Sequence, residues 1–326
     1  MILQNSPLAV ARRLSNVDVT YAAGCDDGLQ CNQLDAAGAI KVAQAADVAV
    51  VFLGISETFE NEGHDRTELE LPGQQLQLGL AVSGVQPKTV VVLYHGGMVL
   101  IDELVNGNAT HPGAGAILTN FYPGQTGGQA VFDTLFAADG AVPSGKLPYT
   151  WYRRGFVQDR GAPNDQDLRS RMGQTYRFYT GKPLLPFGHG LSYSQVTTQL
   201  EEPLPSTMST TDFVARGLTV HLGSQNSGDY DTDAVVLLFA SLSGDGTQNC
   251  PKQTLSNFTR VGVKAKGGTV KVTVHVGARQ VACVDIHGVA RVPGNNATLT
   301  LTLEAAHDAP PLGQVVLTGS PATLGP

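Results

Sequence analysis

The segment Gly54-Ile-Ser-Glu57-Thr-Phe-Glu60-Asn-Glu62-Gly63-His64-Asp65-Arg66 follows an apolar run, VAVVFLG at 48–54. It gathers carboxylates, a histidine and an arginine at the carboxyl end of an expected strand. Crowded carboxylates raise one another's pKa, and a carboxyl that keeps its proton near neutrality can hand it to a leaving group. Composition alone also reads this cluster as a solvated acidic loop. Asp65 and Arg66 read as an ion pair or brace that fixes the loop, or as ligand contacts, since arginine offers a planar fork to a carboxylate. His64 reads as an exposed loop residue.

Other chemistry-bearing types have structural readings. His95 follows a second expected strand, TVVVLY, and the pair Gly96-Gly97 reads as turn geometry. YPGQTGG (122–128) opens a helix after a strand, as a phosphate cradle does. It lacks the Lys-Ser/Thr of a P-loop and the G-x-G-x-x-G spacing, so it reads as close packing. Tyr176, Phe178, Tyr179, Phe187, His189 and Tyr193 are placed to stack on a sugar, but read as packing residues for the most part.

The elements that must position these groups alternate. VAVVFLG (48–54), PGQQLQLGLAVSGV (72–85), TVVVLYHGG (89–97), AILTNFYPG (116–124) and QTGGQAVFDTLFAA (125–138) alternate strand-like and helical stretches and read as βαβαβα. Strands apolar at every position belong in a parallel sheet covered on both faces. That predicts a doubly wound α/β domain with a ligand crevice at the carboxyl ends of its strands. Residues 195–212 carry few large apolar side chains and two prolines, and read as a linker. Beyond them FVARGLTVHLG (213–223), DAVVLLFASL (233–242), VKVTVHV (270–276) and ATLTLTLEA (297–305) predict a β-sandwich.

Composition narrows the partners. The chain of 326 residues is 42% apolar and 15% charged, which is globular, and its formal charge of −7 comes without a run of Lys or Arg. Neither nucleic acid nor an anionic membrane surface is an expected partner. No stretch reaches the ~20 apolar residues of a membrane helix, and the N-terminus has no basic region leading into an apolar core, so no export signal is read. Sequons stand at Asn108, Asn257 and Asn296, and neither cysteine pair has CxxC metal spacing.

Four blocks in one order carry a resemblance. E-x-E-G-x-D-R (60–66) running into LxLPGQQ (69–75), FYPGQTGGQAVFDTLF (121–136), PSGKLPYTWY (143–152) and TYRFYTGKPLLPFGHGLSY (175–193) resemble the C-terminal portion of glycoside hydrolase family 3, in its β-xylosidase and α-arabinofuranosidase branch. The resemblance implies an α/β domain over 1–194, N-terminally clipped, the linker, and a fibronectin type III-like domain over 213–326. It implies retaining, exo-acting cleavage of xylo-oligosaccharides or a related β-glycoside, with β-glucosidase specificity and a non-catalytic carbohydrate-binding or adhesion module as the alternatives. Glu62 is implied as the acid/base, with Glu60 as its competitor. The nucleophilic aspartate belongs to a TIM-barrel domain that this chain does not hold, so the chain alone is expected to be inactive. No metal or organic cofactor is implied. The resemblance further implies secretion, and with it a bridge between Cys25 and Cys31, whose turn GCDDGLQC brings two Cα atoms within ~7 Å. Pairing of Cys250 with Cys283 stays open.

Overall fold

The runs that are apolar at every position become a parallel sheet. Strands β1 (Ala49–Gly54), β2 (Thr89–Tyr94) and β3 (Ala116–Thr119) pair in the order β1-β2-β3, with Val50 opposite Val90 and Val90 opposite Ala116. Successive side chains of a strand face opposite ways, and here both faces are covered. Phe52 packs with Val10 of helix α1 (Pro7–Ala11) and Phe132 of α5 (Gly127–Leu135). Leu53, on the other face, meets α3 (Gln75–Val85), where a Cβ on Gly79 would crowd Leu53 and Leu104. Helix α2 (Ala36–Gln44) packs on α3, and α4 (Asp102–Asn106) follows β2. Val91, Val92 and Leu93 in the central strand are fully buried.

The computed structural model describes residues 5–161, 165–248, 250–306 and 308–325. They divide into two units, Met1–Ala141 and Val142–Pro326. The described residues between 142 and 194, expected to close the α/β domain, fall in the second of these units. Trp151, 1% exposed, pairs through its backbone with Leu185, and Gln253 and Lys252 donate to the carbonyls of Tyr176 and Arg177 beside helix α7 (Thr175–Phe178). The short helix α6 (Phe156–Arg160) lies in the same stretch.

The rest of that unit is a two-sheet sandwich. Strands β4 (Val196–Leu200), β6 (Leu218–Asn226) and β9 (Gly268–Val276) form one sheet. The other takes the order β5-β13-β12-β7-β8 from β5 (Thr207–Ser209), β7 (Thr232–Ser243), β8 (Thr254–Val263), β12 (Ala297–Thr302) and β13 (Gly313–Thr318). A small third sheet joins β10 (Cys283–Val284), β11 (Ala290–Val292) and β14 (Ala322–Thr323). Val220 and Leu222 from one sheet and Leu238, Leu299 and Leu317 from the other, all 0% exposed, meet in one core.

Two expectations fail here for stated reasons. The supposed linker 195–212 holds β4 and β5, each an edge strand of its sheet. Edge strands are short and polar because one side faces water, which is why the stretch looked like a connector. Residues 213–216, read as strand, belong to helix α8 (Thr210–Arg216), capped by the Ser209 hydroxyl accepting from Asp212 N–H and ended by Gly217 at φ 63°.

Candidate functional site

The acidic loop leaves β1 as a turn and closes as a two-residue hairpin. Glu60 N–H and Phe59 N–H both donate to Ser56 C=O, and Asn61 and His64 exchange backbone hydrogen bonds at 3.2 and 3.0 Å. Glu62 and Gly63 therefore form the tip, with Gly63 at φ 80°, the left-handed position that glycine fills without steric penalty. This geometry separates the two candidate glutamates. Glu60 sits at the base and turns inward; Glu62 is exposed at the tip, with no hydrogen bond or ion pair among the described residues.

Glu60 is held from four directions. Its Oε1 accepts from Gly96 N–H at 3.0 Å, Gly97 N–H at 2.8 Å and the Tyr122 hydroxyl at 2.8 Å, while Oε2 accepts from Arg66 Nε at 2.8 Å. Burial pushes its carboxyl upward, but the Gly97 N–H, the Tyr122 hydroxyl and the Arg66 guanidinium outweigh that and hold it below the usual carboxylate range. The direction is opposite to the one crowded carboxylates would produce, because the groups gathered around Glu60 are donors. Tyr122 is pushed up to about 12 by burial and by the Glu60 carboxylate it serves, so it stays a donor.

Arg66 braces the loop, though with a different partner from the expected one. It pairs with Glu60, not Asp65, and its Nη2 donates to Met98 C=O at 2.8 Å. Its Nη1 is buried and has no acceptor among the described residues. Asp65 is exposed beside it and makes no contact of this kind among the described residues.

The two glycines after β2 are part of this cluster. A Cβ on Gly96 would run into the Glu60 carboxylate and the Tyr122 ring, and one on Gly97 would lie 2.8 Å from Arg66 Nη2. They let a carboxylate approach backbone N–H groups directly, beyond the turn geometry read for them. His95, fully buried, supports the same backbone: its Nδ1 lies 3.1 Å from Gly97 C=O and its Nε2 lies 2.6 Å from Thr119 Oγ1. Burial lowers its pKa, so the ring is neutral. With Nδ1 facing a carbonyl, the proton sits there and Nε2 accepts from Thr119.

The LPGQQ motif ties a second loop to the end of β1. Gln75, 2% exposed, accepts from Gly54 N–H through Oε1 and donates through Nε2 to the carbonyls of Gly54 and Leu29, at 2.7 to 2.8 Å. Gln74 N–H donates to Cys31 C=O, and Gly73 at φ 53° lies against the carbonyls of Gln30 and Cys31. Cys25 is bonded to Cys31 across this loop, with Cα atoms 4.9 Å apart, and Cys250 is bonded to Cys283, at 4.5 Å.

Sequence reasoning missed Gly96, Gly97, Tyr122 and Gln75 as members of this site. The available signal was positional: Gly96-Gly97 and Tyr122 stand just past the carboxyl ends of β2 and β3, where the parallel sheet brings them beside the loop that leaves β1. The aromatic group of 176–193 packs as expected. Tyr176, Phe187 and Phe239 form one cluster with centroids 4.5 to 6.0 Å apart. In YPGQTGG, Gly128 abuts the backbone of Asn5 and Pro7, so the close packing joins α5 to α1. Among the described residues, no three His, Cys, Asp or Glu side chains are grouped to hold a metal, and no helix is long and apolar enough to cross a membrane.

Known proteins resemble the chain along nearly its whole length. The glycosyl hydrolase family 3 C-terminal domain matches residues 5–193. A beta-xylosidase/alpha-L-arabinofuranosidase of Medicago sativa subsp. varia is 31% identical over 85% of this chain and 38% of its own. An exo-1,4-beta-xylosidase of Emericella nidulans is 35% identical over 73% of this chain and 32% of its own. Among solved structures, a GH3 exo-beta-xylosidase in complex with a xylobiose aziridine activity-based probe has a TM-score of 0.83 at 27% identity, covering 98% of this chain and 42% of that one. A Bifidobacterium adolescentis GH3 beta-glucosidase has a TM-score of 0.74 at 26% identity, covering 96% and 45%. The chain thus spans under half the length of each of these relatives.

Proposed function

The chain belongs to glycosyl hydrolase family 3, and from that premise we propose that it supplies Glu62 as the acid/base of a retaining, exo-acting β-xylosidase-like glycosidase. The substrate is a xylo-oligosaccharide, and the nucleophilic aspartate comes from a barrel domain outside these residues. The observation that carries the assignment is the occupation of Glu60. A carboxylate that already accepts from two backbone N–H groups, a tyrosine and an arginine is a poor proton donor, whereas Glu62 stands two residues on with no competing partner among the described residues.

In this reading Glu60, Arg66, Gly96, Gly97 and Tyr122 fix the base of the hairpin and thereby aim its tip. A retaining site needs its two carboxyls about 5–5.5 Å apart, which only a second domain presented to that tip supplies. Glu62 first donates a proton to the departing glycosidic oxygen and then, as carboxylate, takes one from the water that cleaves the glycosyl-enzyme. The sandwich is fibronectin type III-like and serves packing. The two disulfides support a secreted protein, since such bridges persist in oxidising surroundings.

The preference for xylose rests on the relatives, and the solved beta-glucosidase keeps glucose as the competing glycone. With a family barrel domain fused upstream, the protein is expected to hydrolyse aryl β-xylosides faster than aryl β-glucosides. A preference for glucosides overturns the substrate, and binding of xylo-oligosaccharides without any hydrolysis overturns the enzyme reading in favour of a carbohydrate-binding module. The 326-residue chain alone, with one carboxylate of the two, is expected to hydrolyse neither.

A further inference from the structure

Two tyrosines of the second unit stand side by side at the surface. Tyr193 is 45% exposed, and Tyr230, in the turn between β6 and β7, is 44% exposed. Their ring centroids lie 6.3 Å apart and their planes are tilted by 59°. The backbone beneath the rings is held by buried polar groups. The Ser194 hydroxyl, on a residue 7% exposed, accepts from Tyr230 N–H at 3.1 Å and donates to Tyr230 C=O. Asn226, fully buried, donates through Nδ2 to the same carbonyl at 2.7 Å. Ser192 Oγ accepts from Ser194 N–H at 3.2 Å and lies 3.3 Å from Thr232 Oγ1. One buried serine thus anchors both tyrosines, since it follows Tyr193 in the chain and binds both backbone groups of Tyr230.

Aromatic rings on a fixed backbone lose little freedom when a flat ligand settles on them, and a phenol offers an apolar face with a polar edge. Asp229 and Asp231 flank Tyr230, and Lys264 and Lys266 stand in the turn between β8 and β9 that is bonded to this one, through Lys264 Nζ to Asp231 at 2.7 Å and Lys266 N–H to Gly228 C=O at 2.9 Å. These charges cancel, so the surroundings favour a neutral ligand over an ionic one. A pyranose, with C–H faces and a hydroxyl rim, has that form. The tilt selects among pyranose chains. A β-1,4-glucan extends as a two-fold screw, whose successive ring faces are parallel and suit coplanar platforms. Xylose lacks the hydroxymethyl group that helps hold a glucan flat, and a β-1,4-xylan winds as a three-fold screw. Platforms for two neighbouring xylose rings must then be steeply inclined to each other, as these two phenols are.

We propose that Tyr193 and Tyr230 form a second carbohydrate site, in the other unit from the acidic loop, which holds two neighbouring residues of a β-1,4-xylan chain. The platform rests on the geometry of the phenols, and the choice of xylan rests also on the substrate proposed above. It gives the second unit a binding role beyond packing. Two stacked sugars are held weakly, and holding a chain raises the local concentration of its ends for an exo-acting site in the same polypeptide.

The test titrates the whole chain with xylohexaose and, separately, with cellohexaose, read by NMR on isotope-labelled tyrosine rings. Xylohexaose is expected to shift the ring signals of Tyr193 and Tyr230 with a Kd in the millimolar range, and cellohexaose to bind at least about tenfold more weakly. Tyr193→Ala and Tyr230→Ala are each expected to raise the Kd for xylohexaose about tenfold, while Tyr230→Phe, which keeps the ring, changes it less than about threefold. Unmoved amide signals of Val220 and Leu238 show that the sandwich core is intact in each variant. No shift of either ring, an unchanged Kd in both alanine variants, or equal binding of cellohexaose overturns the inference. So do shifts confined to Tyr122, which would seat the sugar at the acidic loop. In the protein fused to a barrel domain the alanine variants are expected to keep kcat/KM for a nitrophenyl β-xyloside, so failure of this site and failure of the glycosidase reading are told apart.

Discussion

Replacing Glu60 by glutamine keeps the shape of the side chain and removes its charge, which tests whether this residue is structural. Four donors converge on the carboxylate, and an amide can accept from some of them only by presenting its own N–H₂ to the others. Arg66, with a side chain only 12% exposed, would keep its charge and lose this carboxylate while Nη1 already has no acceptor. Breaking a buried pair by removing one partner costs about 3–5 kcal/mol. Glu60 is 20% exposed, so water recovers part of that, and the expected loss is about 2–4 kcal/mol. Amide exchange of Val91, Val92 and Leu93 in the central strand reads the stability of the unit that holds the loop. Glu62→Gln, a change at an exposed tip, is expected to stay within about 0.5 kcal/mol of the parent. If Glu60→Gln is as mild as Glu62→Gln, the division of roles between the two glutamates is wrong.

The same carboxylate sets a pH dependence. Its folded pKa lies below the ordinary value of 4.5, so its contribution is fully present above that value and is lost as pH falls through the folded pKa. The first unit is therefore expected to weaken below about pH 4.5 in the parent, and Glu60→Gln is expected to remove that part of the slope in urea titrations at stepped pH; an unchanged slope refutes it. Gly73→Ala places a Cβ against the carbonyls of Gln30 and Cys31 at a left-handed φ, and is expected to cost about 2 kcal/mol or more by the same exchange measurement. Alkylation without reductant followed by intact-mass analysis is expected to leave all four cysteines unlabelled; label at Cys25 and Cys31 contradicts the first bridge.

The sheet was legible because its strands are apolar at every position, a pattern that only a doubly covered parallel sheet tolerates. The loop was legible as a place of chemistry, but which glutamate does it was not. Alternation within a loop of unseen path allows either, and the partners that decide it, Gly96, Gly97 and Tyr122, lie 36 to 62 residues away and meet Glu60 only through strand order. Arg66 was legible as a brace, while its choice of Glu60 over the adjacent Asp65 follows from the hairpin closing at Asn61 and His64. Strands β4 and β5 were missed because an edge strand needs few apolar residues, and Pro203 and Pro205 between them suggested a connector.

The most direct test of the central proposal compares Glu62→Gln and Glu60→Gln in a protein that carries the barrel domain. A general acid contributes about 10²–10⁴-fold and matters most when the leaving group is poor. Glu62→Gln is expected to lower kcat/KM for xylobiose by that factor, to affect a nitrophenyl β-xyloside far less in its first step, and to regain turnover of the activated substrate with azide, which needs no deprotonation. The account is contradicted if Glu60→Gln shows this leaving-group dependence and azide rescue while Glu62→Gln does not.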